Sequence, residues 1–198
     1  MSKHFKYHQS YQEEALIFKT VEAAGSFYGL REANRYFCDL CDSQPEFVQL
    51  ANNIYRYKDY YIQVGKRFLM AGHGECLMGL NRLELSCLPQ GIALIWLDNG
   101  EDMVLITRIK GSEGHRLIPY SEYGTELSAQ TRKNLLADVE RLMDANYALL
   151  AVTEDKNTWY IIEDEESVIF PYCKTAFVPD NAKPAYRRRV LEALDLHE

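Results

Sequence analysis

Two short motifs carry the residue types that bind metals, Cys38-Asp-Leu-Cys41 and His73-Gly-Glu-Cys76. Thiolate and imidazole are the ligands of closed tetrahedral zinc sites, and pairs this close in sequence are common among them. The stretch around the first motif, ANRYFCDLC, reads as extended. Residues three apart on a strand face opposite sides, so one ion would not reach both sulfurs. No metal and no cofactor are expected. The chain has five cysteines, an odd number widely spread. They read as reduced thiols buried as small apolar side chains.

Other polar and charged groups could do chemistry or bind a partner. Glu154, Asp155 and Asn157 follow the best helical pattern in the chain, in YALLAVTEDKNTWY. Carboxylates and an amide together could accept protons or hold a hard cation. Glu163-Asp-Glu-Glu166 lies between two apolar runs and reads as a solvated hairpin tip. Arg187, Arg188 and Arg189 fall in the first half of a C-terminal helix, where the helix dipole disfavours cations. They read as a solvated face, or as a patch that binds an acidic partner. His115, alone in a loop, reads as solvated.

The elements that would position these groups follow from periodicity. Ala15 to Leu40 reads as a hairpin turning at Gly25-Ser-Phe-Tyr-Gly29, with a third strand at Phe47–Ala51. Ile54 to about Leu80 reads as mostly helical, on the spacing of Tyr61, Val64, Phe68 and Leu69. Gly91–Leu97 and Met103–Ile109 flank Asp98-Asn-Gly100, the strongest hairpin signal in the chain. Their unbroken apolar character asks for cover inside a sheet shared with Phe47–Ala51. Ser128–Tyr147 is the main helix, with Leu135, Leu136, Val139, Leu142 and Met143 on one face and Asp138 off it. A loop, a second hairpin and a last helix from Ala185 complete the chain.

Composition narrows the function classes. The chain has 198 residues and a net charge of −7. That balance argues against a nucleic-acid partner, which needs a basic face. No apolar run approaches the roughly 20 residues that span a bilayer, so no membrane partner is expected. MSKHFKYHQSYQEE has no apolar core like that of a signal peptide, which points to the cytoplasm.

This order of elements resembles a protein kinase in a degenerate form. The fold class the resemblance implies is α+β and two-lobed: a sheet-rich N-terminal lobe over residues 1–109 and a reduced helical C-terminal lobe over 110–198. Leu105–Gly111 would be the hinge between them. Ala24-Gly-Ser-Phe-Tyr-Gly29 is similar to a shortened glycine-rich loop. Gln49 would stand where the third strand carries its phosphate-binding lysine. Gln63 would stand where the following helix carries the partner glutamate, and two glutamines could bond each other there. Asn157 fits the metal-binding asparagine, but Val152 occupies the position of the aspartate base five residues earlier. With Asp155 as base, Tyr160 falls at the asparagine position. No acid stands near Phe170-Pro-Tyr172, where the family's metal-binding aspartate belongs.

The resemblance therefore implies no catalytic residue and a vestigial nucleotide cleft of Gly25, Gln49, Gln63, Val152, Asn157 and Phe170. The reading is a catalytically inactive kinase-like protein that binds another, unidentified protein, with Arg187, Arg188 and Arg189 as candidate contacts. Two rivals stand beside it: an atypical phosphotransferase or nucleotide-binding protein using Glu154, Asp155 and Asn157, and an unrelated α+β interaction or immunity-type module.

Overall fold

The computed structural model describes residues 6–7, 14–154, 156–163, 167–171 and 174–196. The fold is mixed α+β and divides into two compact units, Met1–Asn81 with Gln90–Glu113, and Arg82–Pro89 with Gly114–Glu198. Tyr172, Cys173, Asp155 and the acids at 164–166 lie outside the described residues.

The first unit is built on one antiparallel sheet. Its elements are β1 (Lys6–Tyr7), α1 (Ala15–Ala24), α2 (Leu30–Ser43), β2 (Phe47–Ala51), β3 (Ile54–Tyr57), β4 (Tyr60–Lys66), α3 (Arg67–Leu80), β5 (Gln90–Trp96) and β6 (Asp102–Arg108). The strand order is β1-β5-β6-β4-β3-β2. The β5–β6 hairpin thus shares its sheet with Phe47–Ala51, as its apolar runs require. Alternation sorts the side chains. Tyr60, Ile62, Val64, Val104 and Ile106 join Ile17, Val21, Ala33 and Phe37 of α1 and α2 in one core. Leu94, Met103 and Leu105 meet Met70 of α3 on the other face.

Two expectations fail here. Ala15–Leu40 is a pair of helices rather than a hairpin. Ile17, Val21 and Ala24, then Ala33 and Phe37, are buried at spacings of three and four, a helical period that outweighs the β-branched composition. Ile54–Lys66 is strand, not helix. Tyr55, Tyr57, Tyr60, Ile62 and Val64 are buried on alternate positions of each strand. The turns lack glycine, and Asn53 and Lys58 take positive φ of 64° and 54° instead. Strand β6 also runs to Arg108, so most of the expected hinge Leu105–Gly111 is sheet.

The second unit holds β7 (Leu117–Pro119), α4 (Tyr120–Tyr123), α5 (Ala129–Asp144), β8 (Tyr147–Leu149), α6 (Leu150–Glu154), β9 (Tyr160–Ile162), β10 (Ser167–Ile169), β11 (Thr175–Phe177) and α7 (Lys183–Ala193). Strand β9 pairs with both β10 and β7, and β8 pairs with β11. Ser128 caps α5, its Oγ accepting from the Thr131 N–H at 3.1 Å. Asp138 of α5 is 4% exposed, not off the buried face as its sequence position implied. Its Oδ2 accepts from the N–H groups of Ser86 and Cys87 at 2.7 and 2.9 Å and from Ser86 Oγ at 2.6 Å. A carboxylate bonded by three donors holds the 82–89 segment on α5.

A second buried carboxylate organises the first unit. Asp102 is 3% exposed. Its Oδ2 accepts from the Leu30 N–H at the start of α2, at 3.1 Å, and from Asn99 Nδ2 at 2.7 Å. Its Oδ1 lies 2.8 Å from Lys66 Nζ, where β4 passes into α3. Gly29 is required by this arrangement for lack of a side chain, not for turn geometry: its φ is −169°, and a Cβ would sit 2.6 Å from Asn99 Nδ2. Burial pushes the Asp102 carboxyl up, but the ion pair with Lys66 and the hydrogen bonds from Asn99 and Leu30 outweigh it and hold it below the usual aspartate value.

Asp102→Ala is expected to destabilise the chain by roughly 1–3 kcal/mol at neutral pH, because the donors it serves lose their acceptor. A depressed carboxyl stabilises above its unfolded value and loses that contribution as pH falls through the folded one. The gap between wild type and variant in urea denaturation should therefore be full at neutral pH and shrink as acidification carries the solution through the depressed carboxyl's range. A gap that does not change with pH would remove Asp102 from this role.

Candidate functional site

The residues of the expected nucleotide cleft divide between the units, and each group is placed by different elements. In the first unit, Gly25 is the C-cap of α1 with φ −63°, between two helices rather than two strands. Gln49 lies on β2, an edge strand, not on a third strand. Gln63 lies on β4, not on a helix. Gln49 pairs with Tyr55 and through it with Ile62, on the face covered by α1 and α2. Gln63 pairs with Ile54 and Leu105, on the face covered by α3. Opposite sheet faces exclude the expected bond between the two glutamines. Helix α2, about 21 Å long at its 14 residues, separates Gly25 from Gln49 as well.

What the sheet does place together is a strand-to-helix junction. Strand β4 presents Tyr61, Gln63 and Gly65 alternately toward the α3 side. Lys66, the only lysine of β4, ends the strand and is the N-cap of α3. It is committed to Asp102 at 2.8 Å and Glu101 at 3.5 Å. The next residue, Arg67, stacks its guanidinium 3.8 Å from the Trp96 ring centre. Phe68 and Leu69 follow at 82% and 69% exposure. Tyr28, 72% exposed, belongs to the same end of the unit, because the 98–101 turn bonds both segments. The Asn99 N–H donates to Tyr28 O at 2.8 Å and the Arg67 N–H to Glu101 O at 2.8 Å.

In the second unit, Val152 is a buried residue of α6, where a loop was expected. Trp159, 1% exposed, donates its indole N–H to Ala151 O at 2.9 Å and meets Phe170 edge-on at 5.8 Å. Val152 and Phe170 are thus core residues beside that tryptophan. Asn157 is exposed in a single 3-10 turn, Lys156–Thr158. Lys156 lies 5.6 and 5.9 Å from the Trp159 and Tyr120 ring centres. Of the three arginines, Arg187 pairs with Glu140 of α5 at 2.9 Å. Arg188 and Arg189 are exposed, so two of the three present an open basic face.

The residues that sequence reasoning missed are Asp102, Lys66 and Asp138. Asp102 stands two positions after Asn99-Gly100, an ordinary place for a solvated acid. Asp138 sits in a helix whose polar residues were read as exposed. Neither has a local signal, since each acid is bonded across more than 50 residues of sequence.

The four thiol and imidazole residues are also separated by the sheet. Cys38 and Cys41 lie on α2, not on a strand, and His73 and Cys76 lie on α3. The two helices pack on opposite sheet faces. One ion cannot bridge them across roughly 10 Å of backbone and side chain on either face. Elemental analysis of purified protein is expected to find no stoichiometric zinc; about one zinc per chain, lost from both Cys38→Ser and Cys76→Ser, would overturn this.

No protein-family model matches the chain, and no curated protein matches it. Among solved structures it is similar to the kinase PK-1 of Cydia pomonella granulovirus, with a TM-score of 0.46 and 8% identity. The likeness covers 73% of this chain and 57% of that kinase, so the chain matches a little over half of its length.

Proposed function

We propose that the chain is a kinase-like protein that transfers no phosphate and acts by binding a protein partner. Its element order supports the first half. Hairpin β2–β3, third strand β4, helix α3, hairpin β5–β6, long helix α5 and hairpin β9–β10 follow one another as the resemblance requires. They do so on different residues from those first expected. The glycine-rich turn is replaced by Asn52-Asn53, and the third strand is Tyr60–Lys66.

The observation that carries the reading is the commitment of Lys66. A kinase uses a lysine of the third strand to hold nucleotide phosphates, and a glutamate of the next helix to hold the lysine. Here mid-strand Gln63 is neutral, and the one lysine of β4 is spent on Asp102 and Glu101. Val152, where the base would stand, is buried and apolar. Phosphoryl transfer rests on positioning and on charge that offsets the phosphates, so neutral and apolar side chains at these positions leave little to catalyse with.

A binding role draws support from the exposed apolar side chains Tyr28, Phe68 and Leu69, gathered at one end of the first unit. Arg188 and Arg189 offer a second contact for an acidic surface.

Magnesium-ATP is expected to give no thermal stabilisation and no label transfer from radiolabelled ATP. Gln63→Lys and Val152→Asp should each stay inactive, because catalytic parts that act as a unit are not restored singly. Stabilisation by magnesium-ATP with label transfer lost in Asn157→Ala would instead establish the atypical phosphotransferase. The binding half is read separately: Phe68→Ser with Leu69→Ser should keep the wild-type melting curve and release host proteins that the wild type retains.

A further inference from the structure

We propose that Cys38 and Cys41 form a reversible dithiol–disulfide pair, and that its oxidation frees the last turn of α2 from edge strand β2. The inference is independent of the kinase-like reading.

The helix brings the two residues together. At 3.6 residues per turn and 1.5 Å rise, positions i and i+3 have Cα atoms about 5 Å apart, inside the range that disulfides span. Their Cβ atoms are about 5–6 Å apart, against roughly 3.5–4.5 Å in a disulfide. Closing the bond therefore requires the turn to deform. The pair sits near the end of α2, at Ser43, where few hydrogen bonds resist such a change. Cys38 is exposed and Cys41 half-buried.

Both side chains meet the sheet side of α2 in the reduced form. Cys38 Sγ lies 3.7 Å from Tyr55 Oη on β3. Cys41 packs, half-buried, against the core that α2 covers. The Phe47 N–H is taken by Gln44 O at 2.9 Å. The Phe47 N–H is thus covered from the α2 side, at the start of an edge of Val48, Gln49, Leu50 and Ala51 that carries no charge.

The oxidant is a low-molecular-weight disulfide such as glutathione disulfide. Cys38, as thiolate, attacks one sulfur of that disulfide, forming a mixed disulfide and expelling one thiolate. Cys41 then loses its proton to solvent and attacks Cys38 Sγ, expelling the second thiolate. Two electrons pass from the protein dithiol to the small disulfide, which leaves as two thiols. Burial, with Cys38 and Asp42 nearby, pushes the Cys41 thiol up, so the exposed Cys38 is the attacking sulfur.

The test treats the full chain with glutathione disulfide and reads peptide masses and amide hydrogen exchange. The wild type is expected to lose two hydrogens from the peptide holding Cys38 and Cys41, keep no adduct there, and recover with dithiothreitol. Cys41→Ser should retain a glutathione adduct on Cys38. In the oxidised wild type the Phe47 amide, bonded to Gln44 just past α2, should exchange roughly tenfold faster or more. A stable glutathione adduct on wild-type Cys38 would overturn the pair. A bridge that leaves Phe47 exchange unchanged would overturn its hold on β2.

Discussion

The first unit depends on one buried carboxylate serving three chain segments. Asp102 receives the start of α2, the side chain of the hairpin turn and the lysine that opens α3. A carboxylate beside the first N–H groups of a helix is favourable, and here it comes from a strand 72 residues away in sequence. The consequence is geometric. Helix α2 on one face of the sheet and α3 on the other are both indexed to a single atom group, so the sheet's two covers are set relative to each other. Gly29 completes the arrangement by leaving the space that Asn99 occupies.

The second unit uses the same device differently. Asp138 projects from the middle of α5 rather than from a strand, and it collects two backbone N–H groups and a hydroxyl from an irregular segment. Tyr186 of α7 donates to Leu149 O at 2.8 Å, fixing the last helix to the strand that precedes α6. In both units a long-range polar bond settles where a helix lies, while apolar burial supplies most of the stabilisation.

The parts legible in sequence were those with an unbroken local pattern. The β5–β6 hairpin announced itself through Asn-Gly between two apolar runs, and α5 through its stripe and Ser128 cap. Ala15–Leu40 and Ile54–Lys66 were misread in opposite directions for related reasons. In the first, Phe, Val and Tyr content masked a helical spacing of buried positions. In the second, Tyr61, Val64 and Phe68 imitate a helix across a boundary between strand and helix at Lys66. Glycine at 25 and 29 drew the turn to the wrong place, while Asn53 and Lys58 made the real turns. The candidate site suffered accordingly, since Gln49 and Gln63 were assigned through the misplaced elements. Val152, Asn157 and Phe170 sit after α5, where the helical pattern was sound, but Val152 falls in the short helix α6 and not in the expected loop. Their burial needed revision too, because the core around Trp159 is assembled from segments that carry no period of their own.

The two tryptophans of the chain fall one in each unit. Trp96 is partly exposed on β5 beneath a cationic side chain, whereas Trp159 is enclosed and bonded to a carbonyl. An indole in an apolar enclosure emits at shorter wavelength than one in contact with water and charge. The chain therefore carries an intrinsic two-colour optical record of its own folding, in which loss of order in either half can be followed without a label.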